Sequence, residues 1–333
     1  MLRSRLLKAG ALFIMSVLIA TAGASAQTLR KVRIRLDWKS GAQHAPFYYG
    51  AQLGYYKDAG IDLEIISGSG SSDTVKQVGS GAIEFGLVDA LVLVQAAQQR
   101  VPVKAIAAYY QRNPIVVISP KDKPVTKPSQ LLDGVKLGSK KGSATYQGLI
   151  ALLAANNIKP EQISLVDIGF GVAPLLVKQV DALMGFSMNE PIEAESHGLA
   201  VAQMPISDYG VDTYGLTIVS NTALMQRNPA LVKAFVKATM RSVEATIKDP
   251  AAAVAAVTRS VDQLDAAREA KVLAATMPYW SGKESQADGL GWQTRTRWKG
   301  TIDTAQKLGL IDTAFDPKDV FSDDFFERPA LAK

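Results

Sequence analysis

Strand-type and helix-type segments alternate from residue 27 to about residue 118, and this alternation is the strongest constraint on the fold. Residues 32–36 form a β-branched run, residues 61–66 alternate apolar and polar side chains, and residues 83–88 are a short apolar run. A helix-type segment follows each of them. Because repeated strand–helix units build a largely parallel sheet with helices on both faces, this part of the chain is predicted to be an α/β unit.

The same alternation returns after a proline-rich break at residues 120–128 and continues to about residue 204. A strong apolar strand at 214–220 then resembles the one at 113–118. We predict two α/β lobes: residues 27–118 with 215–333 form a discontinuous first lobe, and residues 119–214 form an inserted second lobe. Two chain crossings make a hinge, so a ligand site is expected between the lobes. Helices are predicted at 230–248, 251–259, 264–275 and 287–308.

The N-terminal segment has the pattern of a secretory signal peptide. Arg3, Arg5 and Lys8 precede an apolar run at residues 9–20, and the small residues Ala24-Ser25-Ala26 follow. The apolar run is shorter than the roughly 20 residues that a membrane helix needs, and no cysteine follows it for a lipid anchor. We therefore expect cleavage near Ala26 and a soluble, exported, periplasmic protein.

Composition excludes several classes of function. The chain has no cysteine and two histidines, so disulfides, thiol catalysis and cysteine or histidine-rich metal sites are not expected. Three of the basic residues and no acidic residue lie in the signal segment, which leaves a net charge of +3 out of +6. Because basic residues are not clustered and no nucleic-acid motif occurs, nucleic acid is not an expected partner.

The loop after the first strand carries the first candidate site residues. Trp38 follows the strand end and offers a flat face for a heteroaromatic ring, and this is favoured over a core role because of the loop context. His44 could hydrogen-bond a ligand or cap the helix that begins near Pro46. Tyr48 is expected to face the cleft, and Tyr214 is a further aromatic candidate beside the second crossing.

The ends of the next two strands supply more candidates. Gly70 and Ser71 lie in a glycine–serine loop that opens a helix, where backbone N–H groups suit an anionic or carbonyl group of a ligand. An ordinary capped turn is the alternative. Asp89 follows a buried strand, and it could accept a hydrogen bond from a ligand amine or cap the next helix.

Several motifs together resemble the periplasmic substrate-binding proteins of ABC importers, in the NMT1/THI5-like group that includes thiamine-pyrimidine-precursor, riboflavin and sulfonate binders. The resemblance covers roughly residues 30–325. The motifs are Asp37-Trp38, His44-Ala45-Pro46-Phe47-Tyr48, Gly54-Tyr55-Tyr56-Lys57-Asp58-Ala59-Gly60-Ile61-Asp62-Leu63, Gly79-Ser80-Gly81-Ala82-Ile83-Glu84-Phe85-Gly86, residues 138–146, Val180-Asp181-Ala182 and Asn189-Glu190-Pro191.

The resemblance implies a type II periplasmic-binding-protein fold and two further sites on the second lobe. The turn at Ser143, Ala144 and Thr145 matches a position that holds ligand anions in the family, and hydroxyl and helix N–H groups supply the physical reason. Glu190 matches a glutamate that reads an amino-pyrimidine edge, since a carboxylate can accept from a ring amine and a ring N–H together. A solvated loop charge is the alternative for Glu190.

The expected function is therefore non-catalytic capture of a small heteroaromatic ligand, such as a thiamine pyrimidine precursor, and its delivery to a membrane permease with a cytoplasmic ATPase. A monomer without cofactor is expected. Sulfonate, aromatic carboxylate or riboflavin are alternative ligands, because Lys39-Ser40-Gly41 replaces the proline–asparagine usual in pyrimidine binders.

The fungal hydroxymethylpyrimidine phosphate synthases resemble the same group and give an enzymatic alternative. This chain lacks their cysteine-rich iron segment, and it has no lysine between Lys76 and Lys104, where those enzymes carry one. A non-enzyme is therefore favoured.

Overall fold

The computed structural model describes residues 28–169 and 171–326. The predicted signal peptide lies outside the described residues. Ten strands form two sheets within these described ranges, and they are β1 (Arg30–Arg35), β2 (Ile61–Ile66), β3 (Phe85–Asp89), β4 (Val103–Ala108), β5 (Ile115–Pro120), β6 (Lys136–Ser139), β7 (Ser164–Asp167), β8 (Ala182–Phe186), β9 (Val201–Pro205) and β10 (Leu216–Asn221).

Thirteen α-helices connect and cover these strands within the described part of the chain. They are α1 (Ala45–Gln52), α2 (Tyr55–Asp58), α3 (Ser71–Gly79), α4 (Ala90–Gln98), α5 (Ala144–Ala155), α6 (Ala173–Leu176), α7 (Glu190–Ser196), α8 (Thr222–Arg227), α9 (Pro229–Lys248), α10 (Pro250–Ser260), α11 (Ala266–Trp280), α12 (Lys283–Asp288) and α13 (Arg295–Lys307).

The first sheet has the strand order β2-β1-β3-β10-β4. Strand β1 pairs in parallel with β2 and β3, whereas β10 runs antiparallel between β3 and β4. All residues of β3 and β10 are buried, as expected for strands covered on both faces. The prediction of an α/β unit is confirmed, with one antiparallel strand that the apolar pattern did not reveal.

The second sheet repeats this plan with the order β7-β6-β8-β5-β9. Here β6 pairs in parallel with β7 and β8, and β5 is the antiparallel strand. Because β5 belongs to this sheet, the predicted boundary after residue 118 divides a strand of the second lobe. In each sheet the antiparallel strand is the one that follows a crossing from the other lobe. It runs in the opposite direction because the chain then enters the sheet at the opposite ends of the strands.

The two crossings run side by side at residues 109–114 and 210–215. Tyr110 donates its backbone N–H to Leu216 at 2.8 Å, and Gly215 donates its own to Tyr110 at 3.1 Å. The amide of Asn113 also donates to the hydroxyl of Thr213 at 3.1 Å. A two-segment hinge of this kind keeps the lobes in register while it lets them rotate.

The C-terminal part is helical, as predicted, but one predicted helix is wrong. Residues 287–308 form the end of α12 and the separate helix α13 instead of one helix. Gly289 and Gly291 between them have φ of 103° and 84°, a left-handed conformation that ends a helix. Elsewhere the caps act as expected: the side chain of Asn228 accepts from the N–H of Leu231 before α9, and that of Asp249 from Ala252 before α10.

No helix in the described ranges combines the length and the apolar character that crossing a membrane requires.

Candidate functional site

A cavity of about 410 Å³ lies between the two lobes. The loop after β1 and the start of α11 form its first-lobe wall, and α7 with Gly171 forms its second-lobe wall. Its size falls in the range of small-molecule sites. The lining residues are Trp38, Lys39, Ser40, Gly41, Gln43, Gly171, Asn189, Glu190, Glu193, Ser196, His197, Gln263, Leu264, Asp265, Arg268 and Glu269.

Trp38 lies on the first-lobe wall of this cavity, three residues after β1 ends at Arg35. Its ring meets that of Phe186 edge to face, with the centroids 6.5 Å apart. Since Phe186 ends β8, this contact joins the two lobes. The indole therefore lines the cavity at the boundary between the lobes.

Glu190 lies across the cleft as the first residue of α7, and it is 5% exposed. Its Oε2 accepts the backbone N–H of Phe186 at 2.7 Å. Gly185 makes room for the carboxyl group, because a Cβ at this position would lie 2.9 Å from Oε2. Burial raises the pKa of Glu190 to about 7. Near neutral pH the carboxyl group can therefore either accept or donate a hydrogen bond.

A narrow recess of about 10 Å³ adjoins the cavity. Trp38, Gly171 and Glu190 line both spaces, so they mark the end of the cavity nearest the recess. The recess has room for about one water molecule, and an aromatic ring must therefore lie in the larger cavity unless the lobes separate. The remaining lining residues of the recess are Lys140, Thr145, Ile168, Gly169 and Met184.

The predicted anion turn lies beside this recess. Ser143 caps α5 by accepting the N–H of Tyr146 at 3.2 Å, and its hydroxyl lies 2.8 Å from that of Thr145. Ala144 is buried next to them. Gly70 approaches the same turn from the first lobe, since a Cβ on Gly70 would lie 3.3 Å from the carbonyl oxygen of Gly142. The two loops predicted on opposite lobes thus meet, although only Thr145 among these residues lines the recess.

Asp89 and Ser71 form a buried group at the end of β3. Oδ1 of Asp89 caps α4 by accepting the N–H of Leu91 at 2.9 Å, whereas its buried Oδ2 has no hydrogen-bond partner among the described residues. The hydroxyl of Ser71 accepts the N–H of Asp89 at 3.1 Å. Burial raises the pKa of Asp89 to about 7. Asp89 therefore acts as a helix cap here, with one oxygen uncommitted.

His44 and Tyr48 are not among the residues that line the cavity. His44 is fully buried, and its Nε2 lies 3.0 Å from Oδ1 of Asp37. The pair braces the loop that carries Trp38 because Asp37 precedes it directly. Tyr48 is half-buried, and its hydroxyl donates to Ser40 at 2.7 Å. Both residues act on the cavity through the loop at residues 37–40.

Tyr214 lies away from the cavity. It is fully buried in the first lobe, where its ring packs on Trp298 with centroids 5.4 Å apart. Its hydroxyl accepts the backbone N–H of Thr294 at 3.1 Å. Because α13 covers it, this residue does not reach the cleft.

Helix α11 contributes site residues that the sequence analysis missed. Arg268 places its guanidinium 2.6 Å from Oε1 of Glu269 and 4.0 Å from Oε2 of Glu193, which belongs to the second lobe. Glu269 is fully buried, and its Oε2 accepts the N–H of Ala42 at 2.6 Å. One signal was present in the sequence: Glu269 interrupts the apolar face that Val272, Leu273 and Thr276 continue, and a buried carboxylate needs a partner.

The described residues contain no cluster of three or more histidine, aspartate or glutamate side chains suited to a metal ion.

The fold defines the class of protein. Each lobe contains a mixed sheet with one strand that follows a crossing from the other lobe. The Trp38–Phe186 and Arg268–Glu193 contacts span the cleft between the lobes. The nitrate-binding protein NrtA of Synechocystis PCC 6803 superimposes with a TM-score of 0.71 at 13% identity, covering 89% of this chain and 87% of that one. The chain thus has the periplasmic-binding-protein fold predicted for it.

The family model described as NMT1/THI5 like matches residues 41–253. This is more than half of the chain, and the protein belongs to the NMT1/THI5-like family. The riboflavin-binding protein RibY of Chloroflexus aurantiacus is 25% identical over 307 residues, covering 90% of this chain and 86% of RibY. A formylaminopyrimidine-binding protein of Halalkalibacterium halodurans is 23% identical over 301 residues, covering 87% and 90%.

One kind of relative is an enzyme by name. A 4-amino-5-hydroxymethyl-2-methylpyrimidine phosphate synthase of Saccharomyces cerevisiae is 25% identical over 233 residues, covering 66% of this chain and 68% of the enzyme.

Proposed function

We propose that this protein is the solute-binding component of an ABC importer, which captures a small heteroaromatic compound between its lobes. The observation that carries the proposal is the cavity of about 410 Å³ to which both lobes contribute, with Trp38 on one wall and Glu190 on the other. The relatives named for binding riboflavin and formylaminopyrimidine support the ligand class. An exported, periplasmic protein that docks on a membrane permease follows from this role.

The chemistry of the two walls fits such a ligand. An indole face attracts a flat ring by stacking, which contributes about 0.5–1.5 kcal/mol beyond burial of its area. A carboxyl group with a pKa of about 7 pairs with a ring amine or a ring carbonyl according to its protonation. A ring bound between them would contact both lobes at once, so it would favour the closed form over the open one.

Ligand-induced quenching of tryptophan fluorescence tests the proposal. Of the four tryptophans, Trp38 lines the cavity, whereas Trp280, Trp292 and Trp298 are buried elsewhere. We expect riboflavin or an aminopyrimidine to quench the wild-type protein and to raise its melting temperature. Aliphatic sulfonates and nitrate serve as comparison ligands in the same titration.

Two substitutions locate the binding. Trp38→Ala should weaken affinity about tenfold by removing the stacking face, and Glu190→Gln should change the preference among rings that differ in amino and carbonyl groups. Glu195→Gln is the matched control, because Glu195 is exposed on the same helix and does not line the cavity. If no heteroaromatic ligand alters fluorescence or melting, the proposed ligand class is wrong.

The synthase relative makes an enzymatic role the second candidate. The chain does not carry the groups expected for that chemistry: it has no cysteine, and the end of β3 reads Val88-Asp89 without a lysine from residue 77 to 103. An absorbance spectrum of the purified protein separates the candidates, because bound pyridoxal phosphate or iron would give bands beyond the protein absorbance.

A further inference from the structure

Three buried polar side chains adjoin the contacts between the lobes, and each has an atom without a hydrogen-bond partner in the described ranges. The atoms are Oδ2 of Asp89, the hydroxyl of Tyr110 and the hydroxyl of Ser139. The three residues are at most 1% exposed. A buried polar atom that gives up its bonds to water without a replacement destabilises the folded protein. Three such atoms beside one interface therefore favour a role in binding over a role in stability.

Asp89 lies behind a loop that approaches the second lobe. Its backbone N–H donates to the hydroxyl of Ser71 at 3.1 Å. Gly70 precedes Ser71, and a Cβ on Gly70 would lie 3.3 Å from the carbonyl oxygen of Gly142 in the second lobe. Asp89 also ends β3, the strand that pairs in parallel with β1. Separation of the lobes at this loop would therefore bring water or ligand close to Asp89.

The surroundings of Asp89 act on it with no positive side chain among the described residues. Burial raises the pKa of Asp89 most, the charge of Asp37 raises it further, and the backbone N–H groups of Leu91 and Val92 lower it. Oδ1 accepts the N–H of Leu91, so Oδ2 is the oxygen that a ligand could use. An ionised carboxyl group only accepts hydrogen bonds. A ligand amino group therefore suits Oδ2, and a carbonyl oxygen does not.

Tyr110 adjoins a second contact between the lobes. Its ring lies 6.0 Å from that of Tyr279, whose hydroxyl is 2.7 Å from the hydroxyl of Ser187 in the second lobe. Tyr110 and Asp89 also flank one residue of β10: Tyr110 donates its backbone N–H to Leu216, and Asp89 pairs with Leu216 in the sheet. The two residues thus belong to the same edge of the first lobe.

Ser139 borders the recess from the second lobe. It ends β6 directly before Lys140, and its carbonyl oxygen accepts the N–H of Ile168 at 3.3 Å. Lys140 and Ile168 line the recess together with Trp38 of the first lobe. Because the recess, at about 10 Å³, has room for about one water molecule, a ligand reaches this edge only when the lobes lie further apart than in this structure.

We infer that Asp89, Tyr110 and Ser139 are ligand-binding residues, and that Asp89 accepts an N–H from an amino group of the ligand. This inference rests on the proposed function and adds a substrate class to it: heteroaromatic compounds with an exocyclic amino group. The two hydroxyls can donate to a ring nitrogen or accept from a second N–H. Hydrogen bonds from a ligand to both lobes would favour the closed form.

Removal of each hydroxyl distinguishes a ligand-binding role from a structural one. Tyr110→Phe and Ser139→Ala delete atoms that have no partner in the described part of the chain, so the melting temperature of the ligand-free protein should stay the same or rise. Affinity for 4-amino-5-hydroxymethyl-2-methylpyrimidine should fall about five- to tenfold in each variant. Tyr56→Phe is the matched control. The hydroxyl of Tyr56 is 3.1 Å from that of Thr239, so this variant should melt earlier and bind with unchanged affinity.

The role of Asp89 is tested with the same pyrimidine and its analogue that has an oxo group at position 4. The titrations are made above the Asp89 pKa of about 7, where the carboxyl group is ionised. The wild-type protein should bind the amino compound at least about tenfold more tightly.

Asp89→Asn should reduce this preference at least about tenfold, because the amide oxygen stays with the N–H of Leu91 and the NH₂ group takes the place of Oδ2. Asp249→Asn is the matched control. Asp249 caps α10 in the same way, is exposed and does not line the cavity, so the preference should not change.

The outcomes separate the inference from the function on which it rests. Unchanged affinity in both hydroxyl variants, or an unchanged preference in Asp89→Asn, would overturn the inference. Binding of riboflavin by a wild-type protein that binds neither pyrimidine would overturn the substrate class and leave the proposed function standing. If a protein that melts cooperatively binds none of these three compounds, the proposed function fails and the inference fails with it.

Discussion

Two buried carboxyl groups, Asp89 in the first lobe and Glu190 in the second, have pKa values of about 7. Each pKa is raised chiefly because burial disfavours the charged form of the carboxyl group. Neither carboxyl group has an ion-pair partner within the described ranges. These two groups therefore lower the stability of the folded protein at high pH. Their hydrogen bonding changes near neutral pH, where they gain or lose a proton.

Stability should therefore fall as pH rises between about 4.5 and about 7. The folded protein holds protons that the unfolded chain has already released in this window, so the favourable contribution present at low pH is lost through the folded pKa. The free energy of unfolding should fall by at most about 1.4 kcal/mol per pH unit for each group. Urea unfolding at a series of pH values measures it.

The variants Glu190→Gln and Asp89→Asn should each remove part of that slope, since an amide stays neutral at every pH. The asparagine keeps an oxygen that can cap α4. Glu84 provides the opposite control: burial raises its pKa, but its hydrogen bonds with Arg33 and the charge of Arg33 lower it overall. Glu84→Gln should thus leave the slope above pH 5 unaltered. A slope that both cleft variants retain would contradict the assignment.

The sequence predicted the site residues that follow strand ends and missed those that depend on distant packing. Trp38 and Glu190 could be placed because each follows a strand whose apolar pattern is clear. The Glu269 contact with the N–H of Ala42 joins residues 227 positions apart, and no local pattern predicts such a contact. The burial of His44 could not be predicted for a related reason: its partner Asp37 lies close in sequence, but burial of the pair is a tertiary property.

At the level of helices, two glycines show how packing overrides intrinsic preference. Gly50 lies in α1 where it contacts α9, and a Cβ there would lie 1.8 Å from the hydroxyl oxygen of Ser242. Gly300 is an exposed residue of α13, and its Cβ would meet nothing within 4 Å. The same residue type thus serves close helix contact in one place and weakens a helix in the other.

Substitution by alanine should have opposite effects at these positions. Gly300→Ala should stabilise the protein by about 0.5–1 kcal/mol through helix propensity. Gly50→Ala should destabilise it by about 1–3 kcal/mol, because α1 and α9 must move apart. Chemical denaturation of both variants provides the measurement, and each serves as the control for the other. Stabilisation in both would mean that α1 can shift without cost.

The elements themselves were largely predictable from sequence, but strand direction was not. Apolar runs such as those of β5 and β10 report burial on both faces, and burial is the same for parallel and antiparallel pairing. Direction depends on where the chain enters the sheet, which is set by the two crossings. The wrong prediction of one helix at residues 287–308 has a local cause, since Gly289 and Gly291 adopt positive φ between α12 and α13.

For the whole molecule, closure of the two lobes depends on a few contacts besides the ligand. They include the Trp38–Phe186 ring pair, the Arg268–Glu193 ion pair and a hydrogen bond of 2.7 Å between the hydroxyls of Ser187 and Tyr279. A partly exposed ion pair contributes about 0–1 kcal/mol, and a hydrogen bond about 0.5–1.5 kcal/mol. Contacts of this size leave the ligand to decide how fully the lobes close.

Tyr279 allows this balance to be tested without touching the ligand, because it does not line the cavity. Tyr279→Phe removes the hydrogen bond to Ser187 and should weaken ligand affinity by about two- to tenfold, entirely through the open–closed equilibrium. Cysteines introduced at Glu195 and Asp262, exposed beside the two walls of the cavity, can carry spin labels because the chain has no other cysteine.

Pulsed distance measurements on this pair should give a short, narrow distribution with ligand and a longer, broader one without it. The variant Tyr279→Phe should shift the ligand-free distribution further toward long distances, while saturating ligand restores the short one. Labels at Lys57 and Asp262, both on the first lobe, should report one distance under all conditions. If ligand leaves the Glu195–Asp262 distribution unchanged while it binds, recognition occurs without lobe movement, and the affinity loss in Tyr279→Phe should then be absent as well.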